Sequence, residues 1–156
     1  MAKGPQSIND HAKEQVVKQT PSFSKLEAFA RSRIEAHRYP NDYHFFRLSK
    51  CDICGVVPFE LTIEHHTGSR KGDFKGRIFG QCSICGHTTR IFSFTGSHRQ
   101  PLREETPVCT CGGKDFYVGE CERMEGDEGM IGFFDEGVVA GMCSRCEQTR
   151  VLVDTD

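Results

Sequence analysis

Eight of the nine cysteines fall into four close pairs, and nothing else in the 156-residue chain limits its fold so tightly. Cys51-Asp52-Ile53-Cys54 and Cys82-Ser83-Ile84-Cys85 make one set, and Cys109-Thr110-Cys111 and Cys143-Ser144-Arg145-Cys146 make the other. Two residues between cysteines let both thiolates turn toward one cation, and two such loops supply four sulfur ligands. A tetrahedral shell of four sulfurs leaves no open position, which suits a structural zinc ion rather than a catalytic one. The spacing predicts two Zn2+ sites, the first of Cys51, Cys54, Cys82 and Cys85, the second of Cys109, Cys111, Cys143 and Cys146.

Metal is also what a chain of this make-up needs. Hydrophobic residues are 37% of the chain and tryptophan is lacking. A unit of about fifty residues buries too little apolar surface to offset its chain entropy unaided. Disulfides are the rival use of the cysteines. Nine is an odd number, and Met1 to Gln15 contains no apolar run of the secretory kind, nor does any stretch have transmembrane character. These features predict a cytoplasmic protein with reduced thiols and no membrane association, where paired cysteines favour metal.

The chain divides into an N-terminal helical arm (1–42), a first metal-bearing unit (43–96), a linker (97–107) and a second unit (108–156). In the arm, a short helix is expected over about 10–18. A second is expected after Pro21, where Ser24-Lys25-Leu26-Glu27 has capping-box spacing. Leu26, Phe29, Ala30 and Ile34 then share one helical face up to a stop at Tyr39-Pro40. That stripe either packs on the first unit or docks into another subunit. Tyr43 to Leu48 reads as a strand entering the first cysteine pair, and Phe59, Leu61 and Ile63 alternate with polar residues as a half-buried strand does. Further strands run through Gly76–Gly80 into Cys82 and from Thr88 to Phe94.

The plan occurs twice. Gly76, Gly80, Cys82, Ser83, Cys85 and Thr88 match Gly137, Gly141, Cys143, Ser144, Cys146 and Thr149 at a constant offset of 61, and the opening pairs begin 58 residues apart. Self-similarity at that period marks two copies of one module. It favours ligand sets that follow one another along the chain, although a cross-braced arrangement satisfies the same spacing. With these cysteines, strands and turns the chain resembles the zinc-ribbon (rubredoxin-like) superfamily. The resemblance implies a small, mainly β, metal-dependent fold of two tandem zinc ribbons behind the helical arm.

Glycines after the second cysteine (Gly55, Gly86, Gly112) permit the positive φ that folds backbone around an ion. Cys109-x-Cys111 is one residue short, which predicts a distorted second site or a borrowed ligand. Cys121 is the candidate for that role, with a small buried hydrophobe as the other reading. Charge is uneven: residues 1–50 carry +4, 51–103 carry +3 and 104–156 carry −9. Arg70, Lys71, Lys75 and Arg77 at the first hairpin tip are candidates for gripping phosphates or an acidic protein face, with Phe74 placed to stack on a base. Ordinary solvated loop is the alternative, and His65-His66 has no third ligand at metal spacing.

The second tip is acidic, with Asp127-Glu128 near its apex. In this it resembles the ribbon of transcript-cleavage elongation factors, whose acidic apex helps hold magnesium in a polymerase. Its flanking residues, Met124-Glu125-Gly126 and Gly129-Met130, depart from that family's basic approach. The C-x2-C-G frames at Cys54-Gly55 and Cys85-Gly86 are also similar to rubredoxins, which implies iron as the alternative metal and electron transfer as a third function. No Ser/His/Asp order or nucleotide-binding glycine loop is present. The expected function is a non-catalytic zinc-binding accessory subunit that assembles with other protein subunits. Small zinc-bearing subunits of carboxylases are similar in their C-x-C-G pair followed by C-x2-C. A nucleic-acid-binding module is the second expectation.

Overall fold

The computed structural model describes residues 21–34, 43–66, 76–94, 102–125 and 133–154. Among these residues one short helix, α1 (Ser24–Ser32), precedes eight strands: β1 (Tyr43–Leu48), β2 (Phe59–His66), β3 (Gly76–Cys82), β4 (Thr88–Phe94), β5 (Leu102–Glu105), β6 (Asp115–Glu125), β7 (Phe133–Cys143) and β8 (Thr149–Asp154). The helix expected over 10–18 and the Tyr39-Pro40 stop lie outside the described residues. The protein is mainly β, all its strands antiparallel in one sheet whose main path runs β4-β3-β2-β6-β7-β8.

That order reads the same from either end. The two ribbons, β2-β3-β4 and β6-β7-β8, sit side by side and meet through their first strands, where Phe59 pairs with Phe116. These two residues are counterparts, since Phe59 lies opposite Cys82 in one ribbon and Phe116 opposite Cys143 in the other. Antiparallel pairing of counterparts places a local two-fold axis between them. Even an irregularity is repeated. The ladder shifts between Ile78 and Phe79 in the first ribbon and between Val139 and Ala140 in the second. The extra residue is Ile91 in one and Leu152 in the other, and each side chain lies over a glycine. A Cβ at Gly80 would stand 2.6 Å from Ile91, and one at Gly141 would stand 3.1 Å from Leu152.

The remaining strands are exchanged between ribbons. β1, which leads into the first ribbon, pairs with β6 of the second, while β5, which leads into the second, pairs with β2 of the first. The registers correspond: Arg47 opposite Glu120 is matched by Glu105 opposite Ile63, and Phe46 opposite Cys121 by Glu104 opposite Glu64. β5 falls within 97–107, the stretch expected to be a linker. Its Leu-Arg-Glu-Glu sequence has no apolar alternation to announce a strand. β1 is held across the exchange by Arg47, whose Nε and Nη2 donate to Glu120 on β6.

One face of both ribbons forms a single apolar cluster: Phe59, Leu61, Ile63 and Ile78 with Phe116, Val118, Val139 and Val153, extending to Cys51, Cys82, Cys109 and Cys143. The other face of the second ribbon carries Cys121, Val138, Ala140 and Met142, and α1 lies on it with Leu26, Ala30 and Ile34 buried. Burying Leu26 and Ile34 contributes about 1.5–3 kcal/mol each. The expectation that the stripe packs on the first ribbon is therefore corrected. The exchange carries β1 across to β6, and the helix is placed with it. Gly119 makes this close approach possible, because a Cβ there would stand 2.6 Å from the Phe46 ring and 3.4 Å from Leu26. The capping box does not form. Phe23 is the N-cap without a side-chain bond, Ser24 Oγ meets Ser22 Oγ at 2.7 Å, and Glu27 accepts instead from Arg31 at 2.7 Å.

Candidate metal centres

In three of the four cysteine pairs the residue four positions after the first cysteine donates its N–H back to that cysteine's carbonyl. In the first opening pair, Cys51 N–H donates to Gly55 O at 2.8 Å and Gly55 N–H donates back to Cys51 O at 2.9 Å. Gly55 has φ +80°, a conformation that glycine adopts without steric cost. The closing pairs are alike: Gly86 N–H reaches Cys82 O and Glu147 N–H reaches Cys143 O, both at 2.9 Å. Ser83 and Ser144 then tie these loops to the start of β2 and β6, donating to Pro58 O and Asp115 O at 3.1 and 3.0 Å.

The shortened pair is accommodated without an extra ligand. Cys109 N–H donates to Gly113 O at 2.8 Å, so the loop spans five residues as Cys51 to Gly55 does. The second sulfur comes from its third position instead of its fourth, and the positive φ moves with it to Gly112 (+80°). Gly113 leaves the room this needs, since a Cβ there would stand 2.8 Å from Cys143 Sγ and 3.4 Å from Cys111 Sγ. Gly112-Gly113 is thus the signal in the sequence that the short pair still closes. Cys121 lies elsewhere, fully buried under α1 with Leu26, Ala30 and Met142. Burial pushes its thiol pKa up, as for an unreactive core cysteine.

Cys51, Cys54, Cys82 and Cys85 bring their sulfurs within 4.8 Å of one another, and so do Cys109, Cys111, Cys143 and Cys146. Sulfur–sulfur separations include 3.6 Å for Cys51–Cys85, 3.5 Å for Cys109–Cys146 and 3.6 Å for Cys111–Cys143. A tetrahedron with metal–sulfur bonds of about 2.3 Å has edges of about 3.8 Å, so the thiols already stand near the corners. All nine cysteines are free, and these separations exceed a disulfide bond of about 2.05 Å. Each group could hold one metal ion, and the ligand sets follow one another along the chain.

Crowded thiols share their protons unequally. The backbone N–H groups of Cys85 and Ile84 aim at Cys82 Sγ at 3.5 and 3.4 Å and lower its pKa to about 7. The N–H of Cys111 does the same to Cys109, lowered to about 6. Cys54 is pushed up to about 12, first by its hydrogen bond with Cys85 and then by burial. At Cys146 the Gln148 N–H pulls downward, but the thiols of Cys111 and Cys109 outweigh it and hold the group at about 12. A bound cation would bring Cys54 and Cys146 to thiolates at neutral pH.

Around the sulfurs the two cysteine groups differ. The first is crowned by Ile53 and Ile84, which are 70% and 69% exposed. The second has Thr110 and Arg145 in its loops. There Thr110 Oγ1 donates to Gln148 Oε1 at 2.5 Å, and Arg145 Nη1 donates to Cys111 O at 3.4 Å. Of the four basic candidates at the first tip, Arg77 is engaged, with Nη2 2.6 Å from Glu64 Oε2 and its guanidinium over the Phe79 ring at 5.5 Å. Arg70, Lys71 and Lys75 lie outside the described residues, as do Phe74 and Asp127-Glu128. His65 Nε2 stands 3.9 Å from Glu105 and joins no metal group. No helix among the described residues is long and apolar enough to cross a membrane.

No protein-family model matches this chain, and the searches of curated proteins and of solved structures return no match.

Proposed function

We propose that the chain is a non-catalytic zinc-binding subunit that assembles with another polypeptide through the cysteine-loop end of its first ribbon. Two considerations support the zinc reading: four sulfurs at tetrahedral spacing satisfy Zn2+ completely, and a closed shell leaves no position for substrate. The observation that carries the assembly reading is the pair Ile53 and Ile84. Each stands more than two-thirds exposed in a loop of the first cysteine group. Two large apolar side chains exposed in the loops of one cysteine group mark a contact surface more than an ordinary solvated one.

Metal analysis of the native protein, with light scattering after size exclusion, tests both parts. Two zinc ions per chain and a stable complex that Ile53→Asp/Ile84→Asp disperses would support the proposal. Ferric-thiolate colour in the purified protein would replace zinc by iron and point to electron transfer. A native protein recovered only as an isolated monomer would remove the subunit reading.

A further inference from the structure

The local two-fold axis gives every site in one ribbon a counterpart in the other, so a difference between counterparts is informative. Where the chain enters a ribbon's first cysteine loop, it runs beside the ribbon's third strand and leaves a cleft. In the second ribbon Val108 and Val151 line this cleft, and Arg150 is turned aside to donate to Val108 O at 3.3 Å. In the first ribbon the counterparts of the two valines are Lys50 and Arg90. They line a cleft of about 120 Å³ together with Arg47, Ser49, Thr89 and Glu120.

Arg47 is committed to Glu120 and stands 3.7 Å from Glu122. Among the described residues neither Lys50 nor Arg90 has a carboxylate within ion-pair distance. Two cations therefore line one small cleft together with Ser49 and Thr89, and Thr89 Oγ1 is buried without a hydrogen-bond partner. The second cysteine group has valine at both positions and carries Arg145 in its closing loop instead, so whether Lys50 and Arg90 serve the thiolates is read from metal retention below.

We infer that the cleft between the end of β1 and the start of β4 binds a phosphate group. A phosphate carries about −1.5 to −2 charges and three acceptor oxygens, which matches two cations lining a cleft with hydroxyl-bearing residues. Arginine offers a fork to two oxygens, and lysine a point charge to the third. The volume equals about four waters, room for the phosphate and not for a base or sugar. The rest of the ligand stays in solvent. Free phosphate, a small phosphorylated molecule and a nucleic-acid backbone share this chemistry.

The test is a 31P NMR titration of the metal-loaded full chain with inorganic phosphate, repeated on Lys50→Ala/Arg90→Ala and on Val108→Ala. One saturable phosphate per chain is expected, unchanged in Val108→Ala and at least about tenfold weaker in the double variant, with both metal ions retained. A labelled single-stranded oligonucleotide separates the sources. Displacement of phosphate by it, falling steeply with salt, assigns the site to a nucleic-acid backbone; phosphate binding that the oligonucleotide leaves intact assigns it to a small ligand. No saturable binding, or equal binding by the double variant, overturns the inference. Loss of metal from the double variant also overturns it, because the cations would then serve the thiolates.

Discussion

The two ribbons share their loops, registers and irregular ladder position, yet they bury different surfaces. On the face away from the shared cluster, the second ribbon presents Cys121, Val138, Ala140 and Met142 and is covered by α1. The counterparts in the first ribbon are Glu64, Arg77, Phe79 and Gln81, and no helix lies on them among the described residues. Glu64 and Arg77 pair with each other instead. One backbone thus supports a ribbon with two buried faces and a ribbon with one. On the proposed function, apolar cover and a bound metal are alternative means of holding the same hairpins, and the ribbon with less cover should depend more on its ion.

Metal removal probes that difference with the largest effect. A structural zinc site supplies apparent binding energy on the order of 10–16 kcal/mol, so chelating both ions should abolish cooperative melting followed by circular dichroism. Cys82→Ser and Cys143→Ser should each retain one ion. Amide exchange should then quicken more in β3 and β4 of the first variant than in β7 and β8 of the second, which α1 still covers. Equal loss in both would break the comparison. Acid should act through the metal. Cys54 and Cys146, whose pKa values are raised to about 12, stay protonated in the metal-free fold, and binding must expel those protons. Apparent affinity therefore falls as pH falls, and an indicator dye should register release toward acid. Groups raised in this way favour the metal-free fold below their unfolded value and lose that effect only as pH rises through about 12. Acid lability from these two thiols thus belongs to the loaded protein.

Smaller changes sharpen the comparison. Leu26→Ala removes a fully buried side chain from under α1 and should cost about 2–5 kcal/mol in denaturant unfolding. Its exchange effects should be concentrated in β6 to β8. Gly119→Ala puts a methyl into the Phe46 ring and should cost about 1–3 kcal/mol. Least of all, Glu147 has φ +58° where its counterpart Gly86 has +73°. Gly86→Glu should cost about 1–2 kcal/mol, while Glu147→Gly should raise stability by less than about 1 kcal/mol, both read from melting temperatures.

Much of this was legible in the sequence because it is local. The cysteine spacing, the glycines at 55, 86 and 112, and the alternation at Phe59, Leu61 and Ile63 each declare a loop or a strand within a few residues. The offset of 61 carried the likeness of the closing hairpins. What stayed hidden depends on partners far along the chain. Tyr43 to Leu48 announces a strand but not that β6 will receive it, and Leu102 to Glu105 does not announce one at all. The cationic cleft is likewise non-local, since Lys50 and Arg90 are forty residues apart. The place of Gly113 beside Cys143 Sγ depends on the closing loop thirty residues later.

The exchange of β1 and β5 bears on what can be cut from this molecule. Severing the chain between the ribbons would leave each half with its leading strand unpaired and its first strand bare along one edge. Such a half would be completed by a duplicate of itself, with assembly then governed by how much protein is present. Covalent continuity turns that encounter into an internal one, so the fold survives dilution that would dissolve a pair of separate halves.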